Sequence, residues 1–304
     1  MNLTRIGAPD FDLAATLDSG QVFHWEARGS GFVGMIENRP LYAEQRGEKL
    51  LVTRGSAARA RHYFALDHPV RDICAAFPSD PAMDAARHYC SGLRIIRQPL
   101  WECLASFITS SMKQVAHIRQ MSRALREQFG ERHTMGDFVL YSFPAADRIA
   151  IATEKDLRAC ALGYRAKNLL ATAQRVSSGT ADLESWRKLP DDELRERLCE
   201  LPGVGAKVAN CVMLFAYERL RAFPIDVWIE RVLKENYFPR RRKLTTAKLR
   251  AFCDEYFGEH GGYAQQYLFH HARKTTPRGK REGAHRPPPQ AGATFALPSN
   301  PGGP

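Results

Sequence analysis

The stretch Leu201-Pro202-Gly203-Val204-Gly205-Ala206-Lys207-Val208-Ala209-Asn210-Cys211 decides how the chain is read. Pro202 and two glycines one residue apart allow a tight turn whose backbone amides can approach a partner closely. The turn runs straight into an apolar-periodic segment, Val208 to Tyr217. The spacing predicts a helix ending near Glu200, a hairpin, and a second helix from about Gly205. Amides at a helix N-terminus bind phosphate, so such a helix-hairpin-helix suits a nucleic-acid backbone, gripped through Gly203, Val204 and Gly205 without reading sequence. Lys207 falls in the first turn of the second helix, one turn before Cys211 on the same face.

An ordinary helix connection with a solvated lysine would fit the glycines alone. Further on, however, comes Phe223-Pro224-Ile225-Asp226-Val227-Trp228-Ile229, where Asp226, nineteen residues after Lys207, reads as the N-cap of another helix. The bulk properties agree with a polyanionic partner: 304 residues carry 44 Lys and Arg against 33 Asp and Glu, a formal charge of +11. No apolar run approaches the length of a membrane span. The seven cysteines (74, 90, 103, 160, 199, 211 and 253) are scattered and contain no Cys-x-x-Cys. That pattern predicts reduced thiols in a cytoplasm, with no disulfide framework, metal site or other cofactor. The N-terminus lacks the pattern of a secretory signal.

Residues 1 to about 95 read as a strand-rich unit. Gln21 to Glu26, Gly31 to Ile36, Arg39 to Ala43 and Lys49 to Thr53 alternate with turn residues and predict an antiparallel meander. From about Leu100 the periodicity is helical, in an apolar segment running to Ile118 that breaks at the serines Ser110-Ser111, beside Met112-Lys113-Gln114, and resumes through Met121 and Leu125 to Phe129. Further amphipathic blocks follow at Leu157 to Cys160, Tyr164 to Val176 and Asp191 to Leu198, and a helix is expected from Thr245 or Thr246. A last helix contains Gln265 and Phe269, four apart and therefore on one face. Arg240-Arg241-Arg242-Lys243 forms a basic loop suited to phosphate. From Thr276 onward 12 of 29 residues are Pro or Gly, which predicts a disordered basic tail carrying Arg278, Lys280, Arg281 and Arg286.

Leu-Pro-Gly-Val-Gly-x-Lys-Val-Ala together with Pro-Ile-Asp-Val resembles the helix-hairpin-helix, Gly/Pro-rich loop and aspartate signature of DNA glycosylases. The lysine marks the bifunctional members, and the surroundings are similar to the 8-oxoguanine DNA glycosylase family. Ser19-Gly20-Gln21-Val22-Phe23-His24-Trp25 resembles the start of that family's N-terminal domain, and Leu162-Gly163-Tyr164-Arg165-Ala166 a turn whose tyrosine wedges into the duplex. The resemblance covers about residues 9 to 274. It implies an α+β protein: an N-terminal antiparallel β domain of TBP-like type over 1–95, a helical catalytic region over 96–275, and the tail over 276–304.

The resemblance further implies Lys207 as nucleophile at the anomeric carbon and Asp226 as its partner, stabilising the positive charge that develops on the sugar. It implies that Phe269 and Cys211 sandwich a flipped base, that Gln265 addresses its Watson-Crick edge, and that the Gly20 carbonyl accepts from N7–H, a proton guanine lacks. Tyr164, Arg165, Met112, Lys113, Gln114 and His117 would face DNA. The chain departs from the family at Met112-Lys113-Gln114, where relatives have an asparagine-rich loop, at His117 in place of an arginine that reads the opposite cytosine, and at Trp228 in place of a frequent histidine. The four-cysteine cluster of endonuclease III relatives has no counterpart. The expected partner is double-stranded DNA containing an oxidised purine, met by a monomer in the cytoplasm, at the nucleoid if the source is bacterial. Two further readings fit the same residues: a glycosylase for another damaged base, or a non-catalytic helix-hairpin-helix module in which Lys207 contacts only the backbone.

Overall fold

The computed structural model describes residues 2–239 and 244–276. The basic loop at 240–243 and the tail from 277 lie outside the described residues. The N-terminal sheet consists of β1 (Leu3–Gly7), β2 (Glu26–Arg28), β3 (Gly31–Ile36), β4 (Arg39–Arg46) and β5 (Lys49–Thr53), with α1 (Leu13–Asp18) between the first two strands. The sheet order is β1-β5-β4-β3-β2 and every pairing is antiparallel. The meander is as expected, but the segment Gln21 to Trp25 is not a strand. The Gln21 side chain donates to the carbonyls of Thr16 and Arg94 and accepts from the Ile96 amide, which holds the chain in an irregular path. Pairing starts only at Glu26, opposite Val33. Strand β1, not expected from the sequence, closes the other edge, with Leu3 opposite Thr53.

Helices α2 (Ala57–Tyr63), α3 (Val70–Ala75) and α4 (Pro81–Tyr89) follow, then α5 (Leu100–Ser110) and α6 (Val115–Phe129). The mixed, strand-rich reading of the first ninety-five residues did not single out α1 to α4, which are only six to nine residues long. A two-stranded hairpin, β6 (Arg132–Met135) and β7 (Phe138–Tyr141), interrupts the helical region. The remaining helices are α7 (Ala146–Ala150), α8 (Glu154–Leu157), α9 (Arg165–Ser177), α10 (Asp191–Cys199), α11 (Ala206–Phe215), α12 (Val227–Asn236), α13 (Thr246–Tyr256) and α14 (Gly261–Thr275). None of the described helices is long and apolar enough to cross a membrane.

Two apolar cores result. One lies under the sheet and includes Leu41, Leu50, Val52 and Phe64; the other runs through the helices and draws in Ile73, Met83 and Ile95 from the N-terminal part. The two parts are joined by buried polar contacts. Glu102 of α5 accepts a hydrogen bond from Arg126 of α6 and lies 3.3 Å from Nδ1 of His24, whose Nε2 is 2.8 Å from the Met35 carbonyl. Burial, reinforced by the charge of Arg126, holds His24 well below its ordinary pKa, so the ring is neutral.

The helix α14 ties the end of the chain back to its beginning. The Tyr263 hydroxyl accepts from the Ile95 amide at 3.2 Å, and that of Tyr267 donates to the Leu93 carbonyl at 3.0 Å. Close approach of α14 to α11 requires a glycine at 262, because a Cβ there would overlap Leu214 and come within 2.9 Å of the Leu220 and Ala222 carbonyls. Two of these contacts are backbone and cannot turn away. Gly262→Ala is expected to cost about 1–3 kcal/mol and to lower Tm by several degrees. An unchanged Tm in a thermal melt would show that α14 can shift without loss.

Candidate active site

The hairpin is built as the sequence suggests. Helix α10 ends with Glu200 as its C-cap, and Gly203 (φ +81) takes the left-handed conformation that glycine favours. Thr172 of α9 donates to the Pro202 carbonyl at 2.9 Å and Arg195 of α10 donates to the Asn210 side chain of α11 at 3.3 Å, which fix the two helices around the turn. Gly203 and Gly205 are exposed, while the Val204 side chain is buried. Gly205 is the N-cap of α11 and offers no side chain, so the first-turn amides of that helix have no cap. They are available to an anion.

Lys207 lies in that first turn and is half-buried, with Nζ 5.0 Å from the centre of the Phe107 ring. Asp226 caps α12, its Oδ1 accepting from the amides of Trp228 and Ile229 at 3.0 and 2.9 Å. Both residues line one cleft, together with Gly20, Cys211, Gln265 and Phe269. The sequence-expected catalytic and base-binding residues therefore meet at one place, although they come from the N-terminal turn, α11, α12 and α14. Gln265 is 4% exposed and its Oε1 has no hydrogen-bond partner. A buried amide oxygen left without a donor costs free energy unless a ligand supplies one. Gly20 (φ +87) packs so tightly that a Cβ would stand 3.1 Å from the Phe269 ring.

Phe107, Phe215 and Pro224 also line the cleft. Phe107 and Phe215 stack with ring centres 5.4 Å apart. No sequence signal marks this role for the two phenylalanines, since both sit inside continuous apolar helical runs where every large side chain looks like core.

The expected DNA-facing residues divide into two groups. Met112, Lys113, Gln114 and His117 are exposed on the loop between α5 and α6 and on the first turn of α6, with Met112 66% exposed at φ +54. Tyr164, 56% exposed, stands at the start of α9 after a reversal through Ala161 (φ +62) and Gly163 (φ +57). Arg165 differs from expectation. It is 4% exposed, donates from Nε (2.8 Å) and Nη2 to the Ser111 carbonyl, and its guanidinium lies 4.4 Å from the Tyr164 ring centre. Its fixed fork connects the Met112 loop to Tyr164 and is turned away from solvent.

Electrostatically, removal from water raises the Asp226 carboxyl above its ordinary range; the charge of Lys207 and the two capping amides oppose the rise without reversing it. Burial likewise raises the Cys211 thiol, against the nearby charge of Lys207, and keeps it protonated. Because folding favours protonated Asp226, the associated stability is present below the unfolded-state pKa and is lost as pH rises through the raised folded value. A carboxyl-detected NMR titration should place Asp226 above ordinary aspartates, and Lys207→Gln should move it further up by removing a positive neighbour. A midpoint at or below the ordinary range, or a downward move in the variant, would contradict this electrostatic account.

Comparison with known proteins identifies both parts of the chain. Residues 4–104 match the 8-oxoguanine DNA glycosylase N-terminal domain, and residues 105–256 match the HhH-GPD superfamily of base excision DNA repair proteins. The structure is similar to that of the 8-oxoguanine glycosylase/lyase of Clostridium acetobutylicum solved with double-stranded DNA containing cytosine opposite 8-oxoguanine, with a TM-score of 0.83 and 30% identity, covering 89% of this chain and 98% of that one. The probable N-glycosylase/DNA lyase of Methanothermobacter thermautotrophicus is 28% identical, over 89% of this chain and 96% of its own. The N-glycosylase/DNA lyase OGG1 of Arabidopsis thaliana is 29% identical, over 86% and 77%. The chain belongs to the HhH-GPD superfamily of base excision DNA repair proteins and carries the N-terminal domain of its 8-oxoguanine DNA glycosylases.

Proposed function

We propose that the chain is a DNA glycosylase and AP lyase that flips 8-oxoguanine out of duplex DNA, releases it through a Schiff base on Lys207, and cleaves the strand by β-elimination. The observation that carries this reading is the buried, unpartnered Oε1 of Gln265 in the cleft that also holds Lys207 and Asp226. A guanine-type Watson-Crick edge offers N–H donors to such an oxygen. Phe269 and Cys211 both line the cleft, where they would sandwich a planar base, and the Gly20 carbonyl would accept from N7–H.

In this mechanism the Lys207 amine attacks C1′ as the glycosidic bond breaks and the electron pair leaves with the base. An amine must be neutral to attack. The Asp226 carboxylate faces the positive charge that grows on the sugar, and its cap bonds hold it in place through the reaction. Opening of the sugar ring gives an imine between Nζ and C1′. The imine makes the C2′ protons acidic, so loss of one expels the 3′ phosphate oxygen, and water then releases the lysine. The hairpin amides at Gly203 and Gly205 hold the backbone, while Tyr164 and Met112 fill the space that the base leaves. A non-catalytic module would have no use for a carboxylate and a lysine in one cleft. Such a protein acts where the DNA is, at the nucleoid if the source is bacterial.

The opposite base is read weakly in this account. An arginine can offer paired donors to the orphaned cytosine, whereas His117 has a shorter reach, Met112 offers only apolar filling, and Arg165 is committed to Ser111. Single-turnover excision of 8-oxoguanine should show only a modest preference for cytosine over thymine, guanine or adenine, and His117→Arg should sharpen it. A roughly thousandfold preference for cytosine by the unchanged protein, about 4 kcal/mol of discrimination, would contradict this reading. Failure to release 8-oxoguanine from any duplex, with release of another damaged base, would move the substrate assignment to that base.

A further inference from the structure

The turn Ser19-Gly20-Gln21 is held on both flanks by buried amide side chains. Gln266, 3% exposed, donates from Nε2 to the Ser19 carbonyl at 2.9 Å. Gln98 donates from Nε2 to the Gln21 carbonyl at 2.7 Å. One residue further back, Arg273 donates to the Asp18 carbonyl. The carbonyls on either side of Gly20 thus have donors, and among the described residues no hydrogen bond is made to the Gly20 carbonyl itself. Gly20 is also the residue with the greatest conformational freedom in the turn, and its φ of +87 is one of several that glycine adopts at little cost. Released from its neighbours, its peptide would be free to swing.

Helix α14 presents Gln265 and Phe269 to the cleft, and Gln266, adjacent to Gln265, reaches Ser19. The acceptor for the Watson-Crick edge and the support for the N7 acceptor are consecutive residues of one helix. We propose that Gln266 is a specificity-determining positioning residue: its bond to the Ser19 carbonyl sets the Gly20 carbonyl at a fixed place relative to the Gln265 amide, so that the site separates an oxidised purine bearing N7–H from guanine. This rests on the substrate reading above. A carbonyl oxygen attracts an N–H and repels the lone pair that guanine presents at N7, and hydrogen bonds weaken steeply once distance or angle drifts. Misplacement by about 1 Å is enough to cost a site on the order of a hundredfold.

Gln266→Met keeps side-chain length and apolar bulk but removes the donor. With Lys207→Gln as background to prevent turnover, equilibrium binding to duplexes containing 8-oxoguanine or guanine opposite cytosine gives an affinity ratio. The ratio is expected to fall about tenfold or more in the Met variant. Gln266→Glu should lose the same discrimination at neutral pH, where a carboxylate cannot donate, and regain it on acidification as the carboxyl becomes a donor. An unchanged ratio in the Met variant, or equal loss of affinity for both duplexes, would place Gln266 in the ordinary core and overturn the inference alone. A parent that binds both duplexes equally would overturn the substrate reading and the inference together.

Discussion

Two helix N-termini open onto one cleft, and the chemistry depends on that convergence. Helix α11 begins at a glycine that leaves its amides uncapped, and α12 begins at an aspartate that caps its own. The first arrangement gives Lys207 a surrounding of positive potential; the second locks a carboxylate nearby without using both of its oxygens, since both cap bonds go to Oδ1. Desolvation still outweighs the favourable charges at Asp226 and raises its carboxyl. The cleft thus brings a lysine and a desolvated carboxylate of opposite charge together.

The N-terminal part does more than enlarge the surface. Its turn at Gly20 forms one wall of the cleft, against Phe269, and α14 returns from the far end of the described chain to support it. The buried contacts of Glu102 with Arg126 and His24 hold the same two parts together from another side. Cutting the chain between the sheet and the helices would therefore remove a wall of the site as well as a domain.

Much of this was legible in the sequence because the relevant signals are local. Pro202, Gly203 and Gly205 specify a hairpin through backbone geometry, and Asp226 before an apolar run specifies a cap; both are found where expected. The break at Ser110 and Ser111 likewise separates α5 from α6. Other features depend on distant partners and left little local trace. The alternation in Gln21 to Glu26 looks like a strand, yet amide side chains from Gln21 and Gln98 take over its hydrogen bonding. Strand β1 is recognised only by its pairing with β5. Arg165 has the composition of a DNA contact but meets a carbonyl fifty-four residues earlier. The missing partner of Gln265 is a property of the packed structure, and no spacing rule reports it.

The proposed reaction requires that Lys207 itself bond to the sugar. Borohydride reduction of the protein with 8-oxoguanine duplex, followed by proteolysis and mass spectrometry of the nucleotide-bearing peptide, tests it most directly. A single stable adduct located on Lys207 is expected. An adduct on another amine, or efficient base release with no adduct at all, would contradict it.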